Sequence, residues 1–152
     1  MGGFFAISLG GNIGDVKGAF RQALLDLSHR SDLRLLGTSV VTRTRPWGII
    51  SPDFFNMVVV GYARIGAPGI FSLLLRIERR FRLRGKGKLY PRTLDLDFLE
   101  YSGPFFPMKD LLLPHPRLHL RPELVALLFA ARRRERSIGI RRGEGRRGKM
   151  IP

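Results

Sequence analysis

The apolar positions change period several times along the chain, and each change marks an element. Phe4-Phe5-Ala6-Ile7-Ser8-Leu9 is a nearly continuous apolar run of strand length and predicts a central first strand. Gly10-Gly11-Asn12-Ile13-Gly14-Asp15 breaks it with a tight loop. Val16, Ala19, Phe20, Ala23, Leu24 and Leu27 then recur at three- and four-residue steps, the apolar face of a helix that Asn12 or Asp15 is placed to cap. A second strand is predicted from Leu33 to Thr44. A third runs from Phe54 to Tyr62, rich in β-branched and aromatic residues. Pro68 marks the start of a second helix whose apolar face is Ile70, Leu73, Leu74, Ile77 and Phe81.

The period then falls to two. Leu94, Leu96 and Phe98 alternate with Asp95 and Asp97, the pattern of a half-buried strand with three side chains inward and two carboxylates outward. Pro122 to Ala131 predicts a last helix. Strand, helix, strand, strand, helix, strand is the ferredoxin-like βαββαβ arrangement of the α+β class. It implies an antiparallel sheet with helices on one face, here followed by a C-terminal helix and a basic tail. The sheet's other face is left free for a site.

Composition narrows the function classes. The chain has 152 residues and 44% hydrophobic content, enough for one globular domain with a real core. It contains no cysteine, which excludes a disulfide framework, a thiolate metal site and a cysteine nucleophile. No apolar run reaches membrane-helix length, and the start Met1-Gly2-Gly3-Phe4-Phe5 lacks a signal-peptide pattern, so a cytoplasmic protein is expected. The net charge is +15 and uneven. Residues 1–131 carry 18 Lys/Arg against 10 Asp/Glu, whereas residues 132–152 carry 9 against 2. We therefore divide the chain into a domain over 1–131 and a basic, mobile tail over 132–152. A basic body suits polyanionic ligands such as nucleotides. The tail's charge says nothing of what the body binds, beyond weak non-specific contact with nucleic acid. With no unused apolar stripe, a monomer is expected.

The candidate chemistry gathers around the acidic strand. Asp is disfavoured in strands, so two on one face ask for a reason. Side chains two apart on a strand face are about 6.5–7 Å apart along the chain, a spacing at which converging carboxylates hold one or two divalent metals. Oxygen-only ligands suit Mg2+, which fills its remaining positions with water and substrate phosphate. A solvated sheet face is the plainer account of an isolated Asp-x-Asp; the company here argues against it. Arg82, Arg84 and Arg92 lie just upstream, in and after a basic, glycine-bearing loop that reads as a phosphate clamp, and His115 and Arg121 lie downstream. Asn56 interrupts an apolar strand, and a buried Asn needs partners, from neighbouring backbone or from a ligand.

These residues together resemble the 6-hydroxymethyl-7,8-dihydropterin pyrophosphokinase family of folate synthesis. The resemblance is carried by Pro91-Arg92-Thr93-Leu94-Asp95-Leu96-Asp97. It extends to Leu9 through Asp15, Arg43 through Gly48 with Phe54-Phe55-Asn56, Ile77-Glu78 through Arg84, and Pro114 through His119 with Arg121. It implies transfer of a pyrophosphoryl group from ATP to the pterin hydroxymethyl group, with release of AMP. By that resemblance Asp95 and Asp97 hold two Mg2+, Arg82 and Arg92 contact the transferred phosphates, and Arg84 belongs to a closing loop. His115 and Arg121 would grip the ATP phosphates. Asn56 would bond the pterin edge and Phe54 stack on its ring, with backbone near Thr44 and Trp47 adding contacts and Glu78 ordering the site. The family's second stacking aromatic is replaced by Glu123.

Other readings stay open on sequence grounds. An RNA-binding module shares the βαββαβ layout and would recruit Phe5, Phe54 and Phe55, though it gives Asp95 and Asp97 no task. Another magnesium-dependent phosphoryl or nucleotidyl transferase would keep the acids and arginines. A chain that retains the fold without activity is suggested only by Glu123.

Overall fold

The computed structural model describes residues 2–45, 52–81 and 94–134. Its elements in chain order are β1 (Gly3–Gly11), α1 (Val16–Ser28), β2 (Leu33–Thr38), β3 (Thr42–Thr44), β4 (Phe54–Ala63), α2 (Ala67–Arg80) and β5 (Asp95–Tyr101). A single 3-10 turn over Leu118–Leu120 follows, and residues 122–134 form a final helix, α3. The fold is α+β. One antiparallel sheet runs in the order β2-β4-β1-β5, with β3 also paired to β4.

Alternation assigns the two sheet faces. On one, Phe5, Ile7 and Leu9 of β1, Met57 and Val59 of β4, and Leu96 and Phe98 of β5 meet the apolar stripes of α1 and α2, forming the larger core. Asp15 caps α1 by accepting from the Gly18 amide at 3.0 Å, after Gly14 turns the chain with φ 74°. Arg80 near the end of α2 reaches back to Asp26 of α1 as an ion pair.

The opposite face is not wholly free, as the sequence had led us to expect. Leu124, Leu127, Leu128 and Ala131, spaced by three and four residues on α3, pack on Ala6, Val58, Val60 and Leu99 as a second core. Burying each such leucine is worth roughly 1.5–3 kcal/mol, so this half of the sheet has a strong claim on the helix. Arg132 extends the docking by pairing with Glu100, and the helix continues through residue 134, past the expected domain boundary at 131. Only the half of the face nearer the C-terminal end of β1 escapes α3.

Two local departures shape the sheet. The single strand expected over Leu33–Thr44 is broken at Ser39. The Ser39 hydroxyl accepts from the Val58 amide at 2.8 Å and its own amide donates to the Val58 carbonyl at 2.8 Å, while Val40 and Val41 turn out to solvent. A side chain here takes a ladder position, and β3 restarts one residue out of step: Thr38 faces Val59, but Thr42 faces Asn56. In β5 the register slips between Ala6, opposite Glu100, and Ile7, opposite Phe98. Leu99 is the extra residue. It turns its side chain into the second core directly after Phe98 has filled the first.

Candidate active site

Pairing across the sheet assembles the uncovered half-face in rows. Thr42 faces Asn56, Asn56 faces Gly10, and Gly10 faces Asp95. One row towards α3, Val58 faces Ser8 and Ser8 faces Asp97. One row outward, Thr44 faces Phe54. Thr44, Phe54, Asn56, Asp95 and Asp97 therefore all stand on one side of one sheet. Asn56 is 7% exposed and Phe54 39%, so the amide is set deep and the ring stands at the rim.

Gly10 is the residue that lets this row close. A β-carbon built on it would lie 3.1 Å from the Asn56 side-chain oxygen. The Asn56 amide leans over a gap that only glycine leaves, in the direction of Asp95. The sequence pointed to the glycines after Leu9 as a turn, but Gly10 and Gly11 are the last residues of β1. Ser8, 4% exposed beside Asp97, is a second polar residue of this face that periodicity alone did not single out. Its position inside an apolar run was the available signal.

The carboxylates have distinct environments. Burial first, and then the charge of Asp95, push Asp97 above the ordinary carboxylate value, while His115 and Arg121 pull it part of the way back. That balance puts His115 and Arg121 within electrostatic reach of Asp97. The chain reaches β5 again after a cis Leu113–Pro114 peptide, and the His115 amide donates to the Leu99 carbonyl at 2.8 Å. His115 Nδ1 accepts from the Arg117 amide at 3.2 Å, which leaves Nε2 as the ring's donor. The 3-10 turn then delivers Arg121, whose carbonyl accepts from Leu124 and Val125 at the start of α3. Arg121 Nε donates to Glu123 at 2.9 Å.

Glu78 stands elsewhere. Grouped by the resemblance with the substrate-side residues as one that orders the site, it is buried between α2 and the sheet, where its Oε1 accepts from the Leu96 amide at 2.7 Å. Leu96 points into the larger core, so Glu78 lies on the helix side of the sheet and the acids on the other. It acts on the strand that carries the acids. Trp47, Arg82, Arg84 and Arg92 lie outside the described residues, as does the tail from 135 onward. Among the described residues no cluster of three or more His, Asp or Glu is arranged to hold a metal ion. A cleft of about 470 Å³, lined in part by Phe4, Phe5, Tyr101 and Arg132, opens at the other end of β1 and β5 and is lined by none of Asn56, Asp95, Asp97, His115 and Arg121.

Two acids, an imidazole and a guanidinium converge beside a deep amide and a rim aromatic. Against this geometry, the model of the 7,8-dihydro-6-hydroxymethylpterin-pyrophosphokinase family matches residues 6–131. The chain belongs to this family. A 2-amino-4-hydroxy-6-hydroxymethyldihydropteridine pyrophosphokinase of Synechocystis sp. is 33% identical over 116 residues, covering 76% of this chain and 60% of the relative. One of the same name from Methylorubrum extorquens is 31% identical over 110 residues, covering 72% and 70%. The mitochondrial folate synthesis bifunctional protein of Arabidopsis thaliana is 34% identical over 123 residues, 80% of this chain but 22% of that protein. The chain thus spans about three-fifths of the Synechocystis relative and about a fifth of the plant one. All the described residues of the half-face, from Ser8 to Arg121, fall inside the span matched by the family.

Among the described residues no helix is long and apolar enough to cross a membrane. Phe5 and Phe55, which an RNA-stacking surface would need, pack on the helix side of the sheet.

Proposed function

We propose that the chain transfers a pyrophosphoryl group from ATP to the hydroxymethyl group of 6-hydroxymethyl-7,8-dihydropterin and releases AMP. The observation that carries this reading is the shared half-face: Asn56 and Phe54 at one end, Asp95 and Asp97 at the other, with His115 and Arg121 beside Asp97. Membership of the family and the names of the relatives support the same reaction. The order β2-β4-β1-β5, with helices in both β-α-β crossovers, supports the ferredoxin-like description of the fold.

Each group has a task that follows from its chemistry. Asn56 offers one donor and one acceptor to a pterin edge, and Phe54 offers a flat apolar face to its ring; Thr44 lines the same rim. Asp95 and Asp97 are the oxygen ligands for two Mg2+. Burial and the neighbouring charge of Asp95 raise the cost of the Asp97 charge, which a cation would relieve, and a magnesium shell needs only one or two carboxylates beside water and phosphate. When bound, the metal would neutralise charge on the phosphate oxygens. His115 is oriented to donate from Nε2, and Arg121 to donate from its guanidinium, to the polyphosphate. Phosphoryl transfer asks the protein chiefly to position and to neutralise, and this set does both. We place Arg82 and Arg92 on the transferred phosphates, Arg84 on the closing loop and Trp47 on the pterin side. We further propose a cytoplasmic monomer with a basic tail beyond the domain.

The test is the product. Purified chain, ATP, magnesium and hydroxymethyl-dihydropterin should yield AMP and the pterin diphosphate in equal amounts. Release of ADP instead, or no pterin-dependent nucleotide turnover, would remove the reading.

A further inference from the structure

Arg121 is committed to a neighbour before any ligand arrives. Its Nε donates to Glu123 Oε1 at 2.9 Å, and among the described residues this is the side chain's one hydrogen bond. Glu123 lies in the first turn of α3 and Arg121 just before it. Arg121 is also within reach of Asp97's charge, so the pair stands beside the acidic end of the half-face.

The geometry points to Glu123 as the residue that sets the affinity of this site for a nucleotide polyphosphate, by occupying Arg121 until phosphate takes its place. This rests on the proposed role of Arg121 as a phosphate ligand. Engagement through Nε alone fixes the plane of the guanidinium and leaves four N–H donors on its terminal nitrogens. Both side chains are about 40% exposed, and an ion pair that open contributes only about 0.2–1 kcal/mol. Charge-assisted, two-pronged bonds to phosphate are stronger, so the exchange favours the ligand. Glu123 need not leave once displaced, because the N-terminal turn of a helix accommodates a carboxylate. Its charge then remains beside a polyanion. It opposes binding and favours departure of the nucleotide product, which places Glu123 as a positioning residue for Arg121 in the free protein and a brake on affinity in the complex.

Titration calorimetry of the full chain with magnesium and a non-hydrolysable ATP analogue tests this. Glu123→Gln keeps an acceptor for Nε and removes the charge. It should bind the analogue about two- to fivefold more tightly at low salt, with the gain disappearing at high salt. In turnover the gain should appear in KM for ATP and not as a rise in kcat. In an Arg121→Ala background, Glu123→Gln should give a smaller gain, because only the repulsion between the Glu123 charge and the polyanion is left to relieve. Equal gains in both backgrounds, or no gain in the wild-type background, overturn the inference. If Arg121→Ala alone binds the analogue as tightly as the wild type, Arg121 is not a phosphate ligand. That failure belongs to the assignment of Arg121 and is separate from the AMP assay of the reaction itself.

Discussion

Glu78 and Leu96 are 18 positions apart in sequence, yet the carboxylate of one accepts from the backbone amide of the other at 2.7 Å. Leu96 sits between Asp95 and Asp97, so a helix on one face of the sheet fixes the strand that presents both acids on the other. Removing the acceptor strands a buried amide, at a cost of about 1–3 kcal/mol. Glu78→Ala should therefore lower stability by that order in chemical denaturation and reduce turnover with it. Glu78→Gln, which keeps an acceptor, should lose less of both. Equal loss of turnover in the two variants with unchanged stability would mean that Glu78 acts on the substrate directly.

Asp97 should show a conflict between stability and activity. It holds its proton more tightly in the folded protein than in the unfolded chain, because burial and Asp95 disfavour its charge. Its contribution to stability is therefore lost as pH rises from the ordinary carboxylate value through the raised one. In magnesium-free buffer at neutral pH, Asp97→Asn should melt above the wild type, and the two should converge below the ordinary carboxylate range. The same variant should lose turnover, and added magnesium should raise the Tm of the wild type alone. A variant less stable than the wild type at neutral pH would contradict the direction of the shift.

Gly10→Ala isolates the closing of the row. The new methyl would lie 3.1 Å from the Asn56 oxygen, tighter than an ordinary contact, and the amide must yield. Affinity for the pterin should fall severalfold while analogue binding at the phosphate end changes little. Asn56→Ala should lose at least as much pterin affinity, since it removes the edge contacts outright. Calorimetry with each ligand separately reads the difference.

Leu128 tests the second core. It is 3% exposed and packs with Ala6, Val58, Val60 and Leu99. Leu128→Ala should cost about 2–5 kcal/mol in denaturant unfolding, as a buried cavity does. A cost below 1 kcal/mol would mean that α3 is only loosely held.

What the sequence made legible was whatever is local and periodic. The alternation of Leu94, Leu96 and Phe98 with Asp95 and Asp97 placed the acids on the correct side of β5, and the three-four spacing of α1 and α2 placed the larger core. Destinations were harder. The stripe Leu124, Leu127, Leu128, Ala131 says that a helix has an apolar side, but nothing in it says that this side docks on the half of the sheet next to the site. The break at Ser39 depends on Val58, 19 residues away, and an isolated Ser in a β-branched run does not announce such a partner. Glu78 looks the same in sequence whether its helix turns it to a ligand or to a strand edge. Gly10 read as part of a turn because glycines cluster there; its use as a gap for Asn56 exists only once β1 and β4 are paired.

The extra residue in β5 means that this strand is read in two phases. Up to Phe98 the even positions belong with the helices; after Leu99 the assignment is reversed, which is why Glu100 can turn outward to Arg132 instead of into hydrocarbon. Excision of Leu99 alone would restore an unbroken ladder. Asp95, Asp97, Glu100 and Tyr101 would all keep their orientation, while the second core would lose a leucine. The added residue therefore supplies side-chain volume and chain length, not facing, and it sets the distance from the acids to His115, whose amide donates to the Leu99 carbonyl.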